Sequence, residues 1–222
     1  MSHGVDDMRS LHIVATLQGA IAVRSANLML DALLMSATAT RDGLPPPPPI
    51  RDIPIPVAKS PCGRVHLATQ GFSKLEQAER RWKNRRFPIA EAQMFGDAKL
   101  KRINITGGPC RSYRIPLETG HVVNDEIEWW CVGHAREVES LLTGWVGYLG
   151  HRRAVGLGRV MHWHIEECEP WEGFPVVRDG QPLRPLPIDY PGLAGDVERA
   201  IRCVAPPYWR RAEEELCAVP AC

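Results

Sequence analysis

The stretch Gly147-Tyr-Leu-Gly-His-Arg-Arg-Ala-Val-Gly-Leu-Gly-Arg-Val160 joins an amphipathic helix pattern to an alternating strand pattern. Its glycines suit a tight loop, because glycine adopts positive φ and lets another chain approach closely. Successive N–H groups in such a loop can form an anion-binding concavity, and arginine adds forked donors that match phosphate oxygens. We therefore interpret this loop as a grip on a phosphate backbone, with RNA as the expected polyphosphate. Its site residues are Gly150, His151, Arg152, Arg153, Gly156, Gly158 and Arg159.

Two other kinds of phosphate loop do not fit this stretch. A dinucleotide-binding loop runs from a strand through glycines into a helix, whereas this loop runs from a helix into a strand. The helix end that it follows carries the negative pole of the helix dipole, which does not attract an anion. The P-loop pattern G-x-x-x-x-G-K-[ST] does not occur in the sequence. A tight turn with solvated arginines remains the alternative interpretation.

A second basic stretch runs from Lys74 to Arg114 and contains eleven lysines and arginines against four acidic residues. The whole chain has a formal net charge of only +1, so this stretch predicts a basic face that binds a polyanion. An aromatic ring within a basic run suits single-stranded nucleic acid, because bases stack on the ring while cations contact phosphates. The segment 72–87 fits either a basic helix or a long hairpin arm, and its tryptophan could instead pack into the core. The residues expected to bind RNA here are Trp82, Lys83, Arg85, Arg86, Lys99, Arg102, Arg111 and Tyr113.

The apolar periodicity predicts an α+β fold with the order β-α-β-β-α-β. Alternation predicts a first strand at 11–18 and a last strand at 159–167, and a period of 3.6 predicts helices near 28–40 and 135–149. Strands are also expected at 65–69, 99–105, 110–117 and 127–132, with 99–105 and 110–117 joined by Thr106-Gly-Gly-Pro109. This order is that of the ferredoxin-like, or RRM-like, sandwich, whose open sheet face is a common platform for RNA. The Pro-rich remainder is expected to wrap over the domain with little regular structure.

The cysteines and histidines do not predict a metal centre. Seven cysteines are scattered without a C-x-x-C spacing, and their odd number favours reduced thiols. His162 and His164 share a strand face near Cys168, but a fourth ligand at a usual zinc spacing is missing. No apolar run approaches the ~20 residues that a membrane helix needs. We therefore expect a cytoplasmic protein without a metal, a cofactor or a membrane attachment.

Several segments of the chain resemble a known family. The spacing Gly150-x5-Gly156-x-Gly158, between the last helix and the last strand, is similar to the glycine-rich loop of the RAMP superfamily of CRISPR-associated proteins. From about Leu11 to the C-terminus, the chain resembles the Cas-five-like subunit of type IV CRISPR effector complexes. The segments that carry this resemblance are Leu30-Asp-Ala-Leu-Leu34, Ile53-Pro-Ile-Pro56, Trp82-Lys-Asn-Arg-Arg-Phe87, Gly108-Pro-Cys-Arg-Ser-Tyr113, Leu149-Gly-His-Arg-Arg-Ala-Val-Gly-Leu-Gly-Arg-Val160, Val177-Arg-Asp-Gly-Gln-Pro-Leu-Arg-Pro-Leu-Pro187 and Pro206-Pro-Tyr-Trp209.

The resemblance implies a subunit of an antiviral ribonucleoprotein that binds the 5′ repeat-derived handle of a CRISPR RNA (crRNA). Such a subunit caps the backbone filament and serves RNA-guided targeting of DNA and plasmid interference. Its implied partners are the crRNA, the backbone (Cas-seven-like) and large (Cas-eight-like) subunits, target DNA through the complex, and in some systems a helicase. Residues 1–10 would form a flexible N-terminus, 11–168 a RAMP domain with a thumb-like insertion at 71–98, and 169–222 a Pro-rich extension packed on that domain.

Two other functions stay open at this point. Some RAMP relatives cut the CRISPR repeat without a metal, which requires a base for the 2′-hydroxyl and an acid for the leaving oxygen. His151 and Tyr113 are the residues that would act in such an endoribonuclease. A protein-interaction scaffold without RNA affinity of its own is the third function. Because the resemblance implies that a separate ribonuclease processes the RNA, we expect a non-catalytic subunit.

Overall fold

The structure is a computed structural model, and it describes residues 7–22, 28–44, 53–85, 104, 106, 111–150, 156–208 and 211–220. The described chain has an α+β fold with antiparallel sheets and two α-helices. In chain order, its elements are β1 (Arg9–Gln18), α1 (Leu30–Arg41), β2 (Leu75–Arg85), β3 (Tyr113–Val122), β4 (Glu126–Gly133), α2 (Ala135–Trp145), β5 (Arg159–Glu167), β6 (Val177–Arg178), β7 (Gln181–Pro182), β8 (Leu186–Pro187), β9 (Arg199–Arg202) and β10 (Glu215–Ala218).

The central sheet has the strand order β4-β1-β5, and both pairings are antiparallel. Alternate residues of β1 are buried, which confirms the strand that the apolar alternation predicts. The buried face packs against both helices, and α2 contributes the apolar stripe Val138, Leu141 and Leu142 that its periodicity predicts. Trp129 lies at the centre of this core and donates its indole N–H to the carbonyl of Leu28 at 2.8 Å. Neither helix of the described part is long and apolar enough to cross a membrane.

The segment 65–72 runs beside β4 on the edge opposite β1. Isolated antiparallel bridges join Ala68 to Cys131 and Phe72 to Glu128, and the N–H of Thr69 donates to the carbonyl of Trp130 at 2.9 Å. The strand expected at 65–69 is therefore present as separate bridges rather than as a continuous ladder.

Strands β2 and β3 form a long antiparallel arm. Their ladder runs from the pair Leu75 and Val122 to the pair Arg85 and Tyr113. Of the two alternatives for 72–87, the structure has the hairpin arm and not the helix. On one edge, Tyr113–Leu117 pair with β2. The strand expected at 99–105 lies almost wholly outside the described residues, so its relation to 110–117 stays a prediction.

The Pro-rich part after β5 has more regular structure than its composition predicts. Strands β6 and β7 form a small hairpin, and β8, β10 and β9 form a second antiparallel sheet in that order. A separate cluster of buried residues holds this part together: Val65, Val176, Val177, Leu186, Val204, Cys217 and Val219. The first of these residues comes from the segment beside β4, so the cluster also attaches this part to the rest of the protein.

A fully buried ion pair links helix α1 to the Pro-rich part. Arg184 donates to Asp31 Oδ2 at 3.1 Å, to the carbonyls of His66 and Ala68 at 2.9 Å each, and to the Tyr208 hydroxyl at 2.5 Å. The Tyr208 hydroxyl also donates to both oxygens of Asp31, at 2.9 and 2.7 Å. Burial alone would raise the pKa of Asp31, but the charge of Arg184, the nearby His66 and the hydrogen bonds from Tyr208 hold it below its ordinary value.

Candidate nucleic-acid interface

The glycine loop is closed at its base by a short antiparallel ladder. The N–H of Leu149 donates to the carbonyl of Gly158 at 2.7 Å, and the N–H of Val160 donates to the carbonyl of Gly147 at 2.9 Å. Tyr148 and Arg159 form the bridge between these two hydrogen bonds. The chain therefore leaves α2, turns through the loop and enters β5 with both ends fixed at the rim of the central sheet.

Backbone packing explains two of the three loop glycines. Gly150 and Gly158 both adopt positive φ, at 73° and 68°, in the left-handed region that favours glycine. A Cβ on Gly150 would lie 2.7 Å from the Ala22 carbonyl oxygen, and a Cβ on Gly158 would overlap the Leu149 carbonyl. Gly156 also has positive φ, at 82°, but a Cβ there would meet nothing within 4 Å. The tight-turn interpretation thus accounts for these glycines whether or not the loop binds a ligand.

Several of the predicted RNA-binding residues lie outside the described part of the chain. They are His151, Arg152, Arg153, Arg86, Lys99 and Arg102. Among the others, Arg111 and Arg159 are exposed. Arg159 lies at the base of the glycine loop, where it forms the antiparallel bridge with Tyr148.

The basic arm brings a second group of predicted residues together. Arg85 pairs with Tyr113 and Lys83 pairs with Ile115, so Tyr113 lies beside the basic run of β2. The Trp82 side chain is 58% exposed, and the alternative that it packs into the core is wrong. An exposed indole within a basic stretch of sequence is a suitable stacking surface for an unpaired base.

The open face of the central sheet carries both carboxylates and an exposed arginine. The end away from the glycine loop is acidic, with Glu128 and Glu166 around His12, and Glu126 on the same face pairs with Thr16 closer to the loop. Arg159 is exposed at the loop end. A phosphate is attracted to the arginine and repelled by the carboxylates, so the loop end is the part of this face best suited to a phosphate chain.

His12 is held between two carboxylates at the acidic end. Its Nε2 lies 2.8 Å from Glu128 Oε2 and its Nδ1 lies 3.2 Å from Glu166 Oε1. The ring also stacks on Trp130, with centroids 5.1 Å apart and planes at 11°. Hydrogen bonds from His12 and then His164 lower the pKa of Glu166. No local sequence pattern indicates this cluster, because His12 is 116 and 154 residues away from its two carboxylates.

The histidines of β5 share a strand face, as expected, but their surroundings do not assemble a metal centre. His162 pairs with Thr16 and His164 pairs with Val14 across the sheet. Over the ranges that the structure describes, no group of three or more His, Cys, Asp or Glu side chains could hold a metal ion. Partial burial raises the pKa of the Cys168 thiol, which disfavours the thiolate that a metal would bind.

Comparison with known proteins places the chain in a family. No curated protein matches its sequence. The family model described as CRISPR type IV associated protein Csf3 matches residues 89–220, which is more than half of the chain and includes β3, β4, α2, the glycine loop, β5 and most of the Pro-rich part. The chain therefore belongs to the family of the CRISPR type IV associated protein Csf3.

Proposed function

We propose that this protein is the subunit of a type IV CRISPR effector complex that binds the 5′ repeat-derived handle of the crRNA and caps the backbone filament. Membership of the Csf3 family supports its place in a type IV effector. The main structural support for RNA binding is the glycine loop. Its two ends are fixed at the rim of the sheet, where Arg159 is exposed. Arg152 and Arg153, within the same loop, are the proposed phosphate donors, with His151 beside them.

We infer that the domain is a ferredoxin-like RAMP domain. The segment 65–72 supports this assignment, because its bridges to β4 extend the order β4-β1-β5 by a fourth position next to β4. That position is the one that the second strand occupies in a β-α-β-β-α-β sandwich. The β2–β3 arm is then an insertion between the second and third strands of the sandwich, and we propose that it acts as the thumb of the subunit.

The proposed partners follow from the same assignment. The crRNA would contact the loop end of the sheet and the basic arm, and the protein would contact the backbone and large subunits elsewhere. The acidic end of the open face, with Glu128 and Glu166, is unsuited to phosphate and is therefore available to protein. Target DNA would be reached through the assembled complex.

The test is to incubate the purified full chain with end-labelled repeat RNA in the absence of divalent ions. A handle-binding subunit should retain the RNA uncut, and its affinity should fall with salt at a log–log slope of about −0.7 for each neutralised phosphate. Arg152→Ala with Arg153→Ala should weaken binding and flatten this slope by about 1.4. Arg199→Ala with Arg202→Ala is the matched control, because it removes two exposed arginines from β9, far from the loop in the chain.

Three results would contradict the proposal. Unchanged affinity in the loop variant would remove the loop from the RNA site. Cleavage of the repeat to a 2′,3′-cyclic phosphate end, abolished by His151→Ala, would instead indicate an endoribonuclease. Assembly with partner subunits but no affinity for RNA would indicate an interaction scaffold.

A further inference from the structure

Three exposed side chains form a row at the loop end of the open sheet face. Gln18 pairs with Arg159 across β1 and β5, and Tyr148 pairs with Arg159 on the other side of β5. All three residues are exposed, and Tyr148 is 37% exposed although it belongs to the closing ladder of the glycine loop. The row therefore presents an amide, a guanidinium and a phenol ring to solvent side by side.

The hydrogen bonds on either side of Tyr148 fix its distance from Arg159. Leu149 donates to Gly158 at 2.7 Å and Val160 donates to Gly147 at 2.9 Å, which makes Tyr148 and Arg159 a non-hydrogen-bonded antiparallel pair. Residues in such a pair have Cα atoms about 4.5 Å apart and side chains on the same face. The ring and the guanidinium are thus neighbours on a hydrogen-bonded strand pair.

The chemistry around this row favours an anionic aromatic ligand. Between Glu139 and Glu166 the chain contains no acidic residue. The nearest carboxylates on the open face belong to β4, which lies two strand spacings, or about 10 Å, from β5. Within the described part of the chain, the Tyr148 hydroxyl and the Arg159 guanidinium make no side-chain hydrogen bond or ion pair. An exposed ring and an exposed cation without an internal role are the elements that recognise a nucleotide in single-stranded RNA.

We propose that Tyr148 and Arg159 hold one unpaired nucleotide of the RNA at the foot of the glycine loop. The base stacks on the Tyr148 ring, and the phosphate of the same nucleotide contacts the Arg159 guanidinium. Gln18, at the other end of the row, supplies an amide that can donate to or accept from the base edge. This inference rests on the proposed function, because it assigns one nucleotide contact within the same RNA site.

The competing occupant is an acidic surface of a partner protein. Such a surface would also contact Arg159, and it could pack on the Tyr148 ring, because tyrosine and arginine are both common anchors of protein interfaces. A base gains about 1–3 kcal/mol from stacking on one aromatic side chain. The adjacent loop adds Arg152 and Arg153 to the sequence beside this row, which favours a phosphate-bearing nucleotide, and the experiment below separates the two occupants.

The test measures how the full-length protein and its variants bind single-stranded repeat RNA in which one nucleotide at a time is made abasic. Tyr148→Leu should weaken binding of intact RNA by about 5- to 150-fold, since each 1.4 kcal/mol corresponds to a factor of ten. Tyr148→Phe keeps the ring and should bind within about twofold of the unaltered protein. Arg159→Gln should reduce the salt slope by about 0.7, whereas Tyr148→Leu should leave the slope unchanged.

The decisive result is the coupling between protein and RNA changes. At one RNA position, the abasic change should weaken the unaltered protein but have little further effect on Tyr148→Leu, whereas other positions should be additive. A second measurement needs no variant: 2-aminopurine at that position should lose fluorescence when it binds and stacks on the ring. This measurement decides the matter if Tyr148→Leu does not fold.

Three unfavourable outcomes can be told apart. If the unaltered protein binds RNA but no position couples to Tyr148 and no position is quenched, the nucleotide site is wrong and the proposed function stands. If the unaltered protein does not bind RNA under any salt condition, both the nucleotide site and the proposed function are wrong. If RNA binding survives Tyr148→Leu and Arg159→Gln while assembly with partner subunits is lost, the row is a protein interface and the inference is overturned.

Discussion

Gly158→Ala should disrupt the closing ladder of the glycine loop. Gly158 has a φ of 68°, and a Cβ there would lie 3.0 Å from the carbonyl carbon of Leu149 and closer still to its oxygen. The neighbouring atoms are backbone, so the overlap cannot be relieved by turning a side chain. Either the Leu149 peptide or the Gly158 backbone must therefore move. The backbone N–H of Gly158 also donates to the Ala20 carbonyl at 3.0 Å, and moving Gly158 would weaken that hydrogen bond.

The expected cost has two parts. An alanine in the left-handed region costs about 1–2 kcal/mol. Moving the Leu149 carbonyl away weakens the hydrogen bonds of Leu149 to Gly158 and of Gly158 to Ala20, each with a net value of about 1 kcal/mol. The free energy of unfolding should therefore fall by about 3–4 kcal/mol in total.

Gly156→Ala is the matched control. Gly156 has a φ of 82°, so the backbone cost is the same, but a Cβ there meets nothing within 4 Å. This variant should lose only about 1–2 kcal/mol. The difference of about 2 kcal/mol between the two variants isolates the overlap, and it corresponds to about 4–8 °C in Tm for a chain of this size.

The assay is urea unfolding of both variants followed by far-UV circular dichroism, with a thermal melt as a second measurement. Equal losses in the two variants would refute the reasoning, because the packing of Gly158 against Leu149 would then contribute nothing. A larger loss in Gly156→Ala than in Gly158→Ala would refute it as well.

Three further predictions concern groups away from the glycine loop. Arg184→Met should lower the free energy of unfolding by about 3–5 kcal/mol in urea titrations, because it leaves a buried carboxylate unpaired, whereas Arg64→Met should cost at most about 1 kcal/mol because its ion pair is at the surface. The pKa of Asp31 is held below its ordinary value of 3.8, so its contribution to stability is complete above that value and is lost as the pH falls further; Asp31→Asn should remove this part of the acid dependence of the urea midpoint. Iodoacetamide should alkylate Cys62 before Cys131, as read by mass spectrometry, because a hydrogen bond from a serine lowers the pKa of the first thiol while burial raises that of the second. Equal alkylation rates in the folded protein would contradict this last expectation.

The sequence predicted those elements that a local pattern defines. The stripe Val138, Leu141 and Leu142 repeats with the helix period, and the buried residues of β1 alternate with the strand period. Each segment's own sequence therefore indicates its secondary structure. The helix-to-strand order around the glycine loop was also visible, because both flanking patterns are regular. These correct predictions depend on residues fewer than about ten positions apart.

The sequence did not predict features that depend on distant partners. Arg184 lies in a Pro-rich segment and resembles a solvated cation until Asp31, 153 residues away, is brought beside it. Strand β3 pairs with β2, a distant partner that the local pattern of 110–117 does not indicate. His12 is likewise defined by carboxylates 116 and 154 residues away. Such contacts are fixed by topology and register, which no single window of sequence contains.

The buried pair between Asp31 and Arg184 has a consequence for how the protein is made. Helix α1 leaves the ribosome 153 residues before its arginine partner, which at 5–20 residues per second is about 8–30 s of synthesis. During this interval the carboxylate of Asp31 has no guanidinium to neutralise it, so the nascent helix cannot settle into a dry interior. Completion of the native core therefore awaits translation of the C-terminal third, and a prematurely stopped chain would be an early target for quality-control proteases.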